Sequence, residues 1–514
     1  MTRILQWLLP IVCISTPIVV FAGERPNILF MISDDQSFPH ASAYGSKMVS
    51  TPNFDRIAKE GVLFTNAVCP APGCSPSRAA FLTGREIWQI EHAGTHASSF
   101  GKKYRTFMEL LEEDGYHAGF VGKGWSPGNW KIDGRKKNPA GNSYGGHKNY
   151  AESFEKFLNE RPKNAPFVFW FGSSDPHRGY KKGSGLASGK TLDQAEVPSF
   201  LPDTPEIRSD LLDYAFEVDR FDRDCGKMLE LLKQKGDYEN TLIIITSDNG
   251  MPFPYAKANC NEFGIHMPLA VSWKSMVEGE RKSDRLVSHI DLTATIHEAT
   301  GIKAPEEFPL TGTSLLGFLK NVENENKERD AVFSGRERHS SSRYNTLSYP
   351  QRCIRTKQFL YIRNFKPERW PAGPGQKYRG KLGTDLSSEH AGYHDIDACP
   401  SLSFLVEKRE DPKIRRFFHL AVDHRPAEEL YDITTDPGCL KNLATEPIHQ
   451  ATREQLAKQL DAYLKQTHDP RITGSGDIFE SYPRYSPIRW FPIPDWAQGN
   501  EEKIPPTPWL DAKR

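Results

Sequence analysis

The sequence predicts an α/β protein: a sheet covered by helices on both faces, followed by a smaller α+β part. Three observations carry this. Continuous apolar runs of strand length stand at residues 26–33 (PNILFMIS), 165–172 (APFVFWFG), 241–246 (TLIIIT) and 266–273 (HMPLAVSW), the pattern of strands buried on both faces. Helical patterns lie between them, the longest over 205–235, with Leu211, Tyr214, Val218, Phe221, Cys225, Met228, Leu229 and Leu232 near helical spacing. A polar run, 321–330 (NVENENKERD), then separates this alternation from a stretch of short β-like segments.

Residues 1–22 have the layout of a secretory signal, with Arg3 in a short n-region, an apolar stretch over 4–21, and Val20-Phe21-Ala22 ahead of Gly23 as the cleavage site. Pro10 and Pro17 interrupt the run, which argues against an uncleaved anchor. No later stretch approaches the roughly 18 apolar residues of a membrane span. No Asn-x-Ser/Thr acceptor occurs, so the expected location is the bacterial periplasm or the extracellular space. At 514 residues the chain exceeds what one core fills, and the expected division is 23–325, 326–475, and a Pro- and aromatic-rich tail, 476–514, packed on the body. Lys plus Arg equals Asp plus Glu at 66 each, so no global field points to nucleic acid, and attraction for an anion must be local.

Taken in order, the 26–33 run ends in Asp34-Asp35, at the carboxyl end of a strand, where ligands gather in open α/β sheets. Residues 51–61 (TPNFDRIAKEG) read as a capped helix with a glycine stop, and 62–68 leads to Cys74. Residues 117–121 (HAGFV) approach Lys123, and the 165–172 run ends in Asp175-Pro176-His177-Arg178. The 241–246 run ends in Ser247-Asp248-Asn249-Gly250. Adjacent carboxylates repel unless a cation lies between them, and an all-oxygen ligand set from two strand ends suits calcium, with magnesium possible. A helix with a glycine stop is expected over 288–301. Of the 8 cysteines, Cys13 leaves with the signal; Cys69, Cys225, Cys260, Cys353, Cys399 and Cys439 are an even set whose pairing is not readable. None forms a CxxC pair, so a thiolate zinc site has no support.

Cys74-Ser75-Pro76-Ser77-Arg78 runs straight into Phe81-Leu82-Thr83-Gly84-Arg85. Together with the 51–61 run and the two acidic corners, this stretch resembles the type I sulfatases. MPFP at 251–254, DPHR at 175–178, SYP at 348–350 with Arg352, and THDP at 467–470 are similar to the N-sulfoglucosamine sulfohydrolase branch and its bacterial polysaccharide-sulfatase relatives. The resemblance implies an alkaline-phosphatase-like mixed sheet with a smaller C-terminal α+β domain that ends in a closing hairpin over 428–442 and a terminal helix over 448–465, and Cys74 converted to formylglycine by a formylglycine-generating enzyme. A hydrated aldehyde explains the need for that residue: one oxygen attacks sulfur, the other keeps a proton, and sulfate leaves as the aldehyde re-forms.

By the same resemblance one Ca2+ is held by Asp34, Asp35, Asp248, Asn249 and residue 74. Arg78 holds residue 74, Lys123 and Lys257 neutralise sulfate oxygens, and His177 protonates the leaving group. Most relatives carry a histidine two positions after Lys123; this chain has Trp125, and His92 and His96 are the nearby imidazoles that can stand in for it. His92, Trp125 and Arg352 are the expected substrate contacts. The implied function is a secreted calcium-dependent sulfatase acting on a polysaccharide-derived oligosaccharide of the ulvan or carrageenan type. Its alternatives are a heparan N-sulfatase, a zinc phosphatase or phosphodiesterase of the same superfamily, and an inactive saccharide-binding protein in which Cys74 stays a thiol.

Overall fold

The structure, a computed structural model, describes residues 25–486 except 323–327, 344–345, 374–376, 380–384 and 388–392. The expected signal and the tail tryptophans Trp490, Trp496 and Trp509 lie outside the described residues. The larger sheet has eight strands: β1 (Asn27–Ser33), β2 (Val62–Val68), β3 (His117–Gly122), β4 (Asn142–Ser143), β5 (Phe167–Gly172), β6 (Thr241–Ser247), β7 (His266–Ser272) and β8 (Arg281–Ser288). Their order is β4-β3-β5-β1-β6-β7-β2-β8. The strands β4, β3, β5, β1 and β6 run parallel, β7 runs against them, and β2 and β8 return to the first direction.

Both faces of this sheet are covered, and the pleat decides which residue faces which layer. Ile28, Phe30 and Ile32 of β1 pack with α2 (Cys74–Thr83), α3 (Phe107–Glu113) and a later helix, α6 (Ile290–Thr300). Leu29 and Met31 face the other way, onto α1 (Pro52–Glu60), α4 (Tyr150–Glu160) and α5 (Pro205–Lys235). Helix α5 begins as its sequence dictates: Thr204 Oγ1 accepts from Ile207 N–H, Pro205 takes the first turn, and Gly236, at φ 77°, closes it. Its acids serve neighbouring backbone. Asp222 accepts from the N–H groups of Asn53 (3.1 Å) and Phe54 (2.8 Å), capping α1 from another helix.

A second, four-stranded antiparallel sheet, in the order β14-β11-β10-β9, joins β9 (Val332–Arg336), β10 (Gln351–Arg355), β11 (Phe359–Asn364) and β14 (Glu428–Asp432). Strands β12 (Lys377–Arg379) and β13 (Asp385–Ser387) form a separate pair. Helices α7 (Pro400–Glu407), α8 (Arg415–Val422) and α9 (Gln450–Gln466) follow the β-rich stretch or interrupt it.

Three expectations need correction. The helix expected from 288 starts at Ile290, because 281–288 is the edge strand β8; its alternating exposure hides it among charges in the sequence. The hairpin expected over 428–442 is a single strand, β14, paired with β11 and followed by turns. The cysteines Cys69, Cys225, Cys260, Cys353, Cys399 and Cys439 are buried free thiols.

Candidate active site

The site lies where parallel strands end together. In register, Ser33 of β1 pairs with Ser247 of β6, Ile32 with Gly172 of β5, and Gly172 with Gly122 of β3. The next residues of these strands are therefore delivered to one edge: Asp34-Asp35, Asp248-Asn249, the loop to His177, and Lys123. Strand β2 ends at the same edge and feeds Cys74, the first residue of α2, behind an extended Gly73. Asp34 N–H donates to Asp175 O (3.0 Å) and Asp248 N–H to Ser33 O (3.2 Å), which fixes the corner. Asp35 sits at φ 76°, a left-handed turn that aspartate tolerates better than most residues.

Each side chain then has a defined partner. Lys123 Nζ donates to Asp34 Oδ2 (2.6 Å). Lys257 Nζ donates to Asp35 Oδ2 (2.5 Å) and to Asp397 Oδ2 (2.9 Å). Arg78, fully buried, donates through Nε to Asp248 Oδ2 (2.7 Å) and through Nη1 to Lys123 O (2.8 Å), so it braces two site residues from below. Asn249 Nδ2 donates to Asp35 Oδ1 (2.7 Å). His177 Nδ1 pairs with Arg178 O (3.0 Å), and its Nε2 lies 3.9 Å from Asp35 Oδ2.

The electrostatics follow from packing two acids with two ammonium groups out of water. Burial would raise Asp34, but the charges of Lys123, Arg78 and Lys257 outweigh it and hold its carboxyl well below the usual range. Asp35 goes the other way: burial dominates over Lys257, and the neighbouring Asp34 charge adds to it. Asp248 is pushed up to about 6 by burial and by Asp34. Burial likewise raises the Cys74 thiol. Burial and the Lys257 ammonium lower His177, keeping it neutral.

Three carboxylates crowded so tightly call for a cation. Ligand atoms of Asp34, Cys74 and Asp248 lie within 4.8 Å of one another. Asp34 Oδ1 and Asn249 Oδ1 are buried without a hydrogen-bond partner, two acceptors that a hard divalent ion would satisfy. The donor set Asp34, Asp35, Asp248 and Asn249 is all oxygen, which fits calcium.

Two expected substrate contacts are placed elsewhere. Trp125 is fully buried; its indole donates to Ser75 O (2.9 Å) and packs edge-on against Phe100 (5.2 Å), bracing the first turn of α2. Arg352 is fully buried between Asp469 (2.6 Å) and Glu337 (2.8 Å), over the Trp88 ring, and serves the core. His92 stacks on Tyr482 at 4.0 Å and pairs with Ser99, while His96 reaches Cys74 Sγ through Nε2 at 3.9 Å. Sequence reasoning missed Asp397. It lies 140 residues beyond Lys257, in the stretch DIDACP, which carries no local pattern that links the two.

The sequence matches the Sulfatase family over residues 26–302 and the "N-sulphoglucosamine sulphohydrolase, C-terminal" family over 254–371. An ulvan-active sulfatase of Formosa agariphila is 26% identical over 494 residues, covering 86% of this chain and 75% of that protein. The human N-sulphoglucosamine sulphohydrolase is 29% identical over 518 residues, covering 92% of this chain and 96% of that protein. A solved structure in complex with its substrate D-glucosamine-2-N,6-O-disulfate superimposes with a TM-score of 0.61 at 18% identity, over 87% of this chain and 98% of that one. At that identity the likeness speaks for the fold.

Proposed function

Because this chain belongs to the sulfatase family, whose members hydrolyse sulfate esters, we propose that it is an exported, calcium-dependent enzyme that removes sulfate from polysaccharide-derived saccharides of the ulvan or carrageenan type. The observation that carries this reading is the placement of Cys74 at the start of α2, with ligand atoms of Asp34, Cys74 and Asp248 within 4.8 Å of one another and with Asp34 Oδ1 and Asn249 Oδ1 buried without a hydrogen-bond partner.

Calcium held there by Asp34, Asp35, Asp248 and Asn249 would supply fixed positive charge for a sulfate oxygen. Residue 74, as formylglycine, would supply the attacking oxygen. The rest is the work of the chain. Lys123 and Lys257 are held by carboxylates with their ammonium groups toward the site, so their charge is in place before an anionic ester arrives. The start of α2 adds the positive end of its dipole at residue 74. His177 Nδ1–H donates to Arg178 O, which turns Nε2 toward the site; Nε2 would protonate the departing oxygen or nitrogen once it has itself taken up a proton. Cys74 is 2% exposed, so conversion by a formylglycine-generating enzyme has to precede folding.

A second reading, hydrolysis of an N-sulfate, is favoured by the match at 254–371 and by the coverage of the human relative. Sulfate release from ulvan oligosaccharides, carrageenan oligosaccharides and N-sulfoglucosamine decides between the two. Cys74→Ala is expected to reduce release to background on every one of them, and chelation to do the same reversibly, with calcium restoring activity. Unchanged turnover in Cys74→Ala refutes the proposal.

A further inference from the structure

We propose that His96 is the base of this site, taking the proton whose loss lets sulfate leave residue 74. The inference rests on the formylglycine reading above. In the structure Cys74 Sγ stands in for one oxygen of the hydrated residue, and His96 Nε2 lies 3.9 Å from it. Trp125 cannot serve: an indole nitrogen is a donor with no basic lone pair, and here it donates to Ser75 O from a fully buried ring.

The surroundings of His96 are built to hold it there. Its backbone N–H donates to Arg338 O (3.1 Å). The next residue, Ala97, takes a left-handed conformation (φ 59°), donates its N–H to Ser75 Oγ (3.0 Å) and accepts from Tyr485 N–H (2.7 Å). Arg338 in turn donates to Tyr482 O (2.7 Å) and Pro483 O (3.1 Å). Four chain segments thus meet to place one imidazole: the first turn of α2, the 96–97 corner, the loop after β9 and the strap at 482–485. Behind it the His339 ring lies 4.7 Å away, with Nδ1 3.7 Å from Asp395 Oδ1, and Asp395 is clamped by Arg336 (2.7 Å) and Arg343 (2.5 Å).

Of the other ionisable groups around residue 74, Lys257 is held by Asp35 and Asp397, and His339 lies against Asp395. Lys123 is kept charged by Asp34, and Arg78 is a guanidinium bound to Asp248. Asp34, Asp35 and Asp248 form the cation site, and His177 faces Asp35 and Asp397 instead. The step balances as follows. His96 Nε2 takes the proton from the hydroxyl of residue 74 that does not carry sulfate; that electron pair forms the C=O bond; the bond from carbon to the sulfate oxygen breaks, and its pair leaves with sulfate. Water then rehydrates the aldehyde.

The test uses full-length, converted protein and whichever saccharide of the panel above the wild type desulfates. In His96→Gln, one equivalent of desulfated sugar is expected per enzyme, followed by a drop in steady turnover of about 10²–10⁴-fold, the usual worth of a positioned base. Mass spectrometry of the peptide containing residue 74 is expected to find sulfate retained on it, and imidazole added to His96→Ala is expected to restore release. Wild-type turnover in His96→Gln overturns the inference, as does slow turnover with no sulfate retained. If the wild-type peptide carries an unmodified thiol and no sulfate is released, the sulfatase reading itself fails, and this inference with it.

Discussion

At Lys123 a single ammonium group does two jobs. It compensates Asp34, 2.6 Å away, and its charge lies beside residue 74, where it also acts on the thiol. Lys123→Ala is expected to lower kcat/KM by about 10²–10³-fold, the scale of losing one preorganised charge donor. Steady-state kinetics at saturating calcium measure it, and a loss confined to KM would mean that the ammonium binds substrate without stabilising the transition state. Residue by residue, the acidic corners, Cys74, Arg78 and His177 were legible because each follows directly on a strand or motif. Trp125 and Arg352 misled because side-chain type does not reveal direction. An indole reads as a saccharide platform and a guanidinium as an anion contact, yet one faces Ser75 O and the other a pair of buried acids.

Among the elements, the meeting of β5 with the loop after β3 sets the spacing of the site. Lys123 N–H donates to Gly172 O (2.7 Å), and a Cβ on Gly172 would stand 1.8 Å from Lys123 O and 2.9 Å from Arg78 Nη1. Gly172→Ala is therefore expected to push Lys123 and Arg78 out of place and to cut kcat/KM by about 100-fold, the cost of roughly 1 Å of misplacement. Near-wild-type kinetics in a folded Gly172→Ala protein would show that the loop gives way freely. The continuous apolar strands and α5 were plain in the sequence, since burial on both faces and a complete set of helix caps leave strong local signals. Strand β8 and the single strand β14 were not, because an edge strand keeps polar residues facing water and its pairing partner is far along the chain.

Over the whole molecule, buried charges tie the second sheet to the first. Arg355 of β10 pairs with Glu262 at 2.7 Å, beside the turn that leads from the Lys257 loop into β7. Burial would raise Glu262, but Arg355 and His266 outweigh it and hold its carboxyl well below the usual range. Arg355→Met would leave that buried charge with the His266 imidazole (2.7 Å) as its remaining partner; the expected cost is about 3 kcal/mol in urea unfolding, and a loss below about 1 kcal/mol would show that His266 or water compensates it. Glu86 has the opposite sign. Burial lifts it to about 8, although Tyr463 of α9 donates to it at 2.6 Å. The folded protein thus holds a proton that the unfolded chain gives up near the ordinary carboxylate pKa of about 4.3. This group's contribution to stability is complete below that value, falls as pH rises toward 8, and levels off above it. Glu86→Gln is expected to flatten the dependence of melting temperature on pH across this window; an unchanged slope would place the effect at another group.

The sequence by itself determined the strands, the long helix, the acids at their ends and the motif around Cys74. These are properties of short stretches, where periodicity, capping and spacing act locally. Only the tertiary structure decided that Asp397 closes on Lys257, that Trp125 turns inward and that His96 is the imidazole at residue 74. Such contacts join segments tens to hundreds of residues apart, and which atoms meet there is settled by how sheets and helices pack, a quantity that no local pattern encodes.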